Sequence, residues 1–181
     1  TAVSNDFRVG VESGLVGAYN ISNCLAALTA AVYGLGITAE TAARGVASLG
    51  GIPGRMEQIN LGQNFIAIVD FAHTPNALKV TLEAGRKMTQ GRVISIFGSA
   101  GLRDKEKRRM MAETSIELSD LSILTAEDPR TESLDGILAE MAEGARSMGG
   151  VEGETFWRIP DRGEAIKFAL RLAKEGDIVL S

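Results

Sequence analysis

From residue 65 onwards, short apolar runs alternate with stretches of helical periodicity, and this alternation constrains the fold more than any other feature. The strand-like runs are FIAIVDFA (65–72), RVISIFG (92–98), LSILTA (121–126), TFWRI (155–159) and DIVLS (177–181). Between them lie helical segments at about 76–89, 104–118, 133–148 and 161–174. Strands and helices of these lengths form βαβ units. We therefore predict an α/β fold, with a Rossmann-like, mostly parallel sheet and helices on both of its faces.

Residues 1–54 differ from the rest of the chain in composition and in their pattern of apolar residues, which predicts a small helical piece before the sheet. DFRVGVE indicates a short strand, and GAYNISNCLAALTAAVYGLG (17–36) indicates a helix rich in Ala and Leu. ITAETAARGVASLG (37–50) indicates a second helix with Thr38 as its N-cap. The Gly- and Pro-containing GGIPGR (50–55) is typical of a linker. We place a domain boundary there, between 1–54 and 55–181.

Composition excludes several classes of protein. The 181 residues carry a formal net charge of −4, which gives no general reason to expect nucleic-acid binding. A single cysteine, Cys24, allows no internal disulfide and favours a reducing, cytoplasmic location. No apolar run approaches the length of a membrane span, and no Cys/His array indicates a metal site. The sequence begins with Thr and ends in a strand-like run, so we expect it to be part of a longer protein.

Three polar clusters follow predicted strands: DFAHTPN, GSAGLRDKEKR and EDPRTE. Ligands of parallel α/β sheets bind beyond the carboxyl ends of the strands, so this coincidence predicts a site. In the first cluster, Asp70 and His73 lie where a ligand can reach them. Thr74 and Pro75 have a purely structural alternative, as the N-cap and first residue of a helix.

The second cluster crowds Arg103, Lys105, Lys107, Arg108 and Arg109 at the start of a predicted helix. A helix N-terminus carries partial positive charge, so cations are unfavourable there, although Asp104 and Glu106 offset part of the effect. An anionic ligand docking at this edge explains the arrangement better than a solvated basic face does.

In the third cluster, Glu127, Asp128 and Arg130 offer both signs of charge, which suits a zwitterion. Asn20 and Asn23 share a helix face, and the pattern alone favours capping and packing for them.

Taken in order, these stretches resemble the Mur ligase family, and most closely its MurE type, the UDP-N-acetylmuramoyl-tripeptide synthetases of bacterial peptidoglycan synthesis. The matching stretches are GAYNISNCLAA, GIPGRME, VDFAHTPNAL, FGSAGLRDKEKRRMM, TAEDPRTE and GDIVLS. The resemblance implies the end of a central ATPase domain followed by most of a C-terminal domain. It also implies a bacterial cytoplasmic ligase that uses ATP and Mg²⁺ to add a third residue, lysine or diaminopimelate, to UDP-MurNAc-dipeptide through an acyl phosphate.

The resemblance assigns roles to ten residues and points to an eleventh, Asn20, as the neighbour of one of them. Asn23 corresponds to an asparagine at the adenine, with Asn20 beside it. Arg55 corresponds to an arginine that reaches the phosphates of ATP. Asp70 corresponds to an aspartate at the ribose, and His73, Thr74 and Asn76 line the same edge. Arg103 corresponds to the arginine for the α-carboxylate of the incoming amino acid. Glu127, Asp128 and Arg130 occupy the motif that reads its side chain.

Departures from the family pattern modify these expectations. EDPR has Asp128 where the family motif DNPR has Asn, and an acid beside Glu127 favours a side-chain ammonium and repels a carboxylate. This suggests lysine rather than meso-diaminopimelate, although Arg130 still offers a carboxylate partner.

The 181 residues contain no GxxGK[ST] phosphate loop, no candidate for the carbamylated lysine, no UDP site and no GKGHE. We expect no catalytic residue, no activity and negligible ATP affinity in this chain alone. The alternatives are a cyanophycin- or folylpolyglutamate-synthetase-like ligase and a non-catalytic Rossmann-like binding module.

Overall fold

The computed structural model describes every residue from Thr1 to Ser181. The chain divides into two compact units, Thr1–Glu57 and Gln58–Ser181. This division falls three residues after the predicted linker boundary. The assignment of the two parts to a central and a C-terminal ligase domain stays a prediction.

The first unit is a small helical body with a two-stranded antiparallel sheet, β1 (Ala2–Val3) and β2 (Arg8–Val9). Helix α1 (Tyr19–Thr29) runs without interruption into a π-helical turn at Ala30–Gly34, and helix α2 (Ala39–Ala47) follows. The predicted Thr38 cap is confirmed, since its hydroxyl accepts a hydrogen bond from the N–H of Thr41. A small core is built from Ala2, Leu28, Ala42 and Ala43.

The remaining elements alternate as the apolar runs predict. The strands are β3 (Glu57–Ile59), β4 (Ile66–Val69), β5 (Val93–Phe97), β6 (Leu121–Leu124), β7 (Phe156–Arg158) and β8 (Ile178–Leu180). The helices are α3 (Pro75–Met88), α4 (Glu106–Leu118), α5 (Leu134–Ser147) and α6 (Arg162–Leu172). All five predicted strands and all four predicted helices of this part are present.

The six strands form one sheet in the order β3-β4-β8-β5-β6-β7. The pairs β4–β8, β8–β5, β5–β6 and β6–β7 are all parallel. Strand β8, the last in sequence, therefore lies between β4 and β5, with Ile178 in register with both Ile66 and Val93. Because these strands are parallel, the loops that follow β4, β5 and β6 leave the sheet at one edge.

Side chains of β5 alternate between two helical layers. Ile94 and Ile96 pack in a cluster with Ala165 and Ala169 of α6. Ser95, between them, points the other way and lies 2.5 Å from the hydroxyl of Ser115 on α4. The sheet is thus covered on both faces, and the predicted α/β class with a mostly parallel sheet is confirmed. Nowhere in the chain is there a helix with the length and apolar character that a membrane crossing needs.

Candidate functional site

The carboxyl ends of β4, β5 and β6 border a cavity of about 330 Å³. Residues from all three following loops line it, together with the start of α6 and the end of β8. The lining residues are Asp70, Phe71, Ala72, His73, Ile96, Phe97, Gly98, Glu127, Asp128, Arg162 and Ser181. The structure therefore brings together four residues that the sequence singled out, Asp70, His73, Glu127 and Asp128. Neither Arg103 nor Arg130 lines this cavity.

Asp70 is held in place by contacts on its backbone and its side chain. Its N–H donates to the carbonyl of Ser181 at 2.9 Å, which extends the β4–β8 pairing by one residue. The hydroxyl of Thr81 on α3 donates to Asp70 Oδ1 at 3.0 Å. The half-buried carboxylate thus has a fixed direction at the rim of the cavity.

His73 forms an aromatic pair with Phe71, with ring centroids 5.0 Å apart. Its Nδ1 lies 3.1 Å from the carbonyl oxygen of Phe71. A carbonyl can only accept, so Nδ1 is the donor in this contact. Both residues are exposed and present their aromatic rings beside Asp70, tilted by 58° to each other.

The structural alternative for Thr74 and Pro75 is confirmed. Thr74 has extended backbone angles, its hydroxyl accepts from the N–H of Ala77 at 3.1 Å, and Pro75 is the first residue of α3. Asn76 is exposed in the first turn of the same helix. The ligand roles of Thr74 and Asn76 stay predictions.

The basic stretch is less uniform than its sequence suggests. Arg103 is exposed and forms no ion pair within the chain, and it precedes α4, which begins at Glu106 rather than near 104. The carboxylate of Asp104 accepts from the N–H of Glu106 at 3.0 Å and so serves one of the donors at the start of α4. Leu102 has a φ of +52°, an uncommon backbone conformation for a residue with a side chain.

For Arg108 the interpretation as a cation that faces an anionic ligand is wrong, and so is the alternative of a solvated basic face. Its side chain is completely buried, with Glu132 at 2.8 Å and Glu140 at 2.9 Å. A buried guanidinium is stable only when carboxylates pair with it. Arg109 is exposed but pairs with Glu106 and Glu113 on its own helix. These two arginines are explained by internal carboxylates and not by a ligand.

The loop after β6 holds its own opposite charges close together. Asp128 Oδ1 accepts from the backbone N–H of Arg130 at 3.1 Å, and Asp128 Oδ2 lies 3.7 Å from Arg130 Nε. Arg130 has a φ of +51°. Glu127, Asp128 and Arg130 are all exposed, so both signs of charge are presented at this edge as the sequence predicted.

Sequence reasoning missed Arg162. It is the first residue of α6, and its guanidinium extends toward the carbonyl of Ala126 at 3.4 Å and the hydroxyl of Ser181 at 3.3 Å, at the wall of the cavity. The signal was present, because IPDRGE is also a polar segment between a strand end and a helix start. Arg162 adds a cation to a cavity whose lining also contains the carboxylates of Asp70, Glu127 and Asp128.

The remaining predicted ligands lie in the first unit. Asn23 is exposed on α1, and its amide donates to Asn20 Oδ1 at 2.9 Å. Asn20 is buried and donates to the carbonyl of Val16 at 2.7 Å, so packing explains Asn20 well. Arg55 is exposed beside the turn in which its N–H donates to the carbonyl of Ile52. Across the 181 residues, no group of three or more His, Cys, Asp or Glu side chains is placed to hold a metal ion.

The family described as "Mur ligase, glutamate ligase domain" matches residues 54–181, more than two thirds of the chain. The chain belongs to the Mur ligase family. Its match includes the whole six-stranded sheet and every residue that lines the cavity.

Individual Mur ligases resemble the chain over nearly its full length. The UDP-N-acetylmuramyl-tripeptide synthetase of Roseiflexus sp. is 45% identical over 166 residues, which are 92% of this chain and 32% of that protein. The UDP-N-acetylmuramoyl-L-alanyl-D-glutamate–2,6-diaminopimelate ligase of Geobacillus thermodenitrificans is 39% identical over 172 residues, 95% of this chain and 34% of that protein.

A solved structure of a UDP-N-acetylmuramoyl-L-alanyl-D-glutamate–2,6-diaminopimelate ligase superposes with a TM-score of 0.65 at 36% identity. The match covers 98% of this chain and 35% of that one. The chain therefore spans about a third of the length of the Mur ligases that it resembles.

Proposed function

We propose that this chain is the amino-acid-binding part of an ATP-dependent ligase that adds a diamino acid, lysine or diaminopimelate, to UDP-MurNAc-dipeptide. One observation carries the proposal. The cavity edge with Asp70 and His73 and the loops with Arg103 and Glu127–Arg130 follow β4, β5 and β6, parallel strands whose carboxyl ends lie at one edge of the sheet. A nucleotide and an amino acid can then be bound side by side, as a ligase requires.

The residues around the cavity suit a nucleoside. A carboxylate with a fixed direction, such as that of Asp70, accepts hydrogen bonds from vicinal hydroxyls of a ribose. The Phe71–His73 pair supplies apolar aromatic surface, and Arg162 supplies a cation. We assign Asp70, His73, Thr74 and Asn76 to the nucleotide, with Asn23 and Arg55 of the first unit as its further ligands.

On the amino-acid side, Arg103 is exposed and has no carboxylate partner within the chain. Its planar guanidinium is the group best suited to a carboxylate, because it can bind both oxygens at once. We assign Arg103 to the α-carboxylate of the incoming amino acid. Glu127, Asp128 and Arg130 then face its side chain and discriminate by charge.

ATP supplies the phosphoryl group that converts the unreactive carboxylate of the dipeptide into an electrophilic acyl phosphate, with release of ADP. The α-amine of the amino acid attacks the acyl carbon, phosphate leaves, and an amide forms. Arg103 contributes by holding the carboxylate so that the amine stays oriented. Mg²⁺ belongs to the proposal as a cofactor of the full-length enzyme, and we assign none of its ligands to this chain.

The proposal is tested by incubating the full-length protein with ATP, Mg²⁺, UDP-MurNAc-L-Ala-D-Glu and one amino acid at a time. We expect phosphate release and a UDP-MurNAc-tripeptide, detected by mass, only with diamino acids. Glutamate on a folate acceptor serves as the comparison. If the enzyme formed product in this second reaction, with glutamate and the folate, and not with the UDP-MurNAc substrate, it would be a folylpolyglutamate-synthetase-like ligase.

The relatives at 39% and 45% identity favour the tripeptide ligase over the other Mur-like ligases. A non-catalytic binding module has less support, because Asn23, Arg55, Asp70, His73 and Arg103 are all present together. A bacterial cytoplasmic location forms part of the same proposal.

A further inference from the structure

The loop that carries Arg103 is attached directly to the loop after β6. The N–H of Gly101 donates to the carbonyl of Asp128 at 2.8 Å. The approach is so close that a Cβ on Gly101 would lie 2.0 Å from the carbonyl oxygen of Pro129. Residue 101 must therefore be glycine for the two loops to meet in this way.

Glu132 makes a second connection between the same loops. Its Oε1 accepts from the N–H of Leu102 at 2.5 Å, and its Oε2 accepts from the guanidinium of Arg108 at 2.8 Å. The hydrogen bond from Leu102, followed by that from Arg108, lowers the pKa of Glu132, so the carboxylate stays ionised. The contact holds Leu102 at its positive φ, immediately before Arg103.

Arg108 anchors Glu132 to the body of the domain. It is wholly buried in α4, and Glu140 of α5 supplies its second carboxylate. Burial lowers the pKa of Arg108, but the two carboxylates outweigh burial and raise it overall, so the charge persists. The position of Glu132 is therefore set by its contact with a buried side chain of α4.

We propose that Glu132 is a positioning residue that joins the Arg103 loop and the Glu127–Arg130 loop into one rigid amino-acid-binding unit. It touches no substrate itself. The distance between the group that binds the α-carboxylate and the groups that face the side chain is then fixed before the amino acid arrives. The inference rests on the proposed function for the role of Arg103, but the connection between the loops exists independently of it.

Two matched variants of the full-length enzyme test the proposal. Glu132→Ala and Glu140→Ala each remove one carboxylate from Arg108, but only the first removes the acceptor of Leu102. We expect Glu132→Ala to raise the KM for the amino acid roughly tenfold to a hundredfold, while the KM for ATP stays within about twofold. Glu140→Ala should leave both values within about twofold. Equal rises in the two variants, or an equal rise in both KM values of Glu132→Ala, would overturn the proposal.

Amide exchange in the 181-residue chain separates this inference from the proposed function. In Glu132→Ala the N–H of Leu102 should exchange faster with deuterium, and in Glu140→Ala it should not, with both variants folded by circular dichroism. An unchanged Leu102 rate in Glu132→Ala refutes the connection whatever the activity. A ligase inactive with every amino acid, combined with the expected exchange rates, refutes the proposed function but not the connection.

Discussion

The five cations at residues 103–109 illustrate how much one residue can differ from its neighbour. Arg108 is buried between two carboxylates and Arg109 is paired on the surface, whereas Arg103, Lys105 and Lys107 form no ion pair within the chain. Of these three, only Arg103 combines exposure with the planar donor geometry that suits a carboxylate. Arg103 is therefore the one residue of this stretch that we assign to the carboxylate of the incoming amino acid.

Replacing Arg103 tests this restriction. In the full-length enzyme, Arg103→Ala should raise the KM for the amino acid roughly tenfold to a hundredfold, because a charge-assisted hydrogen bond contributes about 1.5–3 kcal/mol. Lys107→Ala, four residues away and likewise without an ion pair within the chain, is the control and should change the KM by less than about twofold. Steady-state kinetics with varied amino acid measures both. Similar effects of the two variants would mean that the stretch acts only through its overall charge.

Asp128 should determine which diamino acid is preferred. It pairs with Arg130, so it both presents a negative charge and occupies the cation that a second carboxylate needs. We expect the wild-type enzyme to prefer lysine to meso-diaminopimelate. Asp128→Asn should shift the ratio of kcat/KM values toward diaminopimelate by roughly tenfold.

The control for this prediction is Asp135→Asn, which removes an exposed carboxylate from the first turn of α5. In this variant the ratio of the kcat/KM values for lysine and diaminopimelate should stay unchanged. A wild-type enzyme that prefers diaminopimelate contradicts the charge argument for Asp128.

At the scale of elements, the sequence predicts the strands and helices of the sheet domain well. Alternating apolar runs locate β4 to β8, and Thr38, Thr74 and Ser133 each cap a helix in the structure. The burial of Arg108 could not be predicted, because its partners lie 24 and 32 residues further along the chain.

The same limit applies to the candidate site. The rule for strand ends locates Asp70, His73, Glu127 and Asp128 correctly at one cavity. It cannot show that Arg162 reaches that cavity from the start of α6, since this depends on where α6 packs. Nor can it reveal that Glu132 connects two loops, because a Glu in a polar loop has no distinctive pattern.

Asp177 fixes the start of β8, and this gives a prediction about pH. Burial pushes the pKa of Asp177 upward, but hydrogen bonds from the Arg92 side chain and from the N–H groups of Arg92 and Lys174 outweigh it, so the pKa lies below its ordinary value. A carboxyl whose pKa is lower in the folded protein than in the unfolded chain stabilises the fold at pH values above its ordinary pKa. This stabilisation is lost as the pH falls through the lowered pKa of the folded state.

Asp177→Asn should therefore reduce the free energy of unfolding by roughly 2–3 kcal/mol at neutral pH. The difference from wild type should stay constant down to about pH 5 and shrink below about pH 4. Urea unfolding at several pH values measures it. Glu175→Gln, an exposed carboxylate nearby, should show no such dependence, and a difference that grew on acidification would refute the assignment.

At the scale of the whole molecule, the proposed nucleotide ligands are divided between the two compact units. Asn23 and Arg55 belong to Thr1–Glu57, and Asp70 and His73 belong to Gln58–Ser181. The phosphate loop that contributes most of the affinity in nucleotide-binding folds is absent from these 181 residues. The chain alone should therefore bind ATP far more weakly than the full-length enzyme.

Isothermal titration calorimetry with ATP and Mg²⁺ tests this directly. We expect no measurable heat of binding to the 181-residue chain at micromolar concentrations, and clear binding to the full-length enzyme under the same conditions. A micromolar Kd for the chain alone would show that the residues around the cavity suffice for the nucleotide.

The position of β8 between β4 and β5 has a consequence for how the domain is made. During translation, β4 and β5 leave the ribosome with the place between them empty, and more than a hundred residues separate β4 from the strand that pairs with it. Neither neighbour can reach its final pairing until β8 has emerged, so the nascent chain carries unpaired strand edges while the residues between β5 and β8 are made. The centre of the sheet is therefore the last part of it to form, and a ribosome that stalls before Asp177 releases a chain that has the four helices α3 to α6 but no continuous sheet.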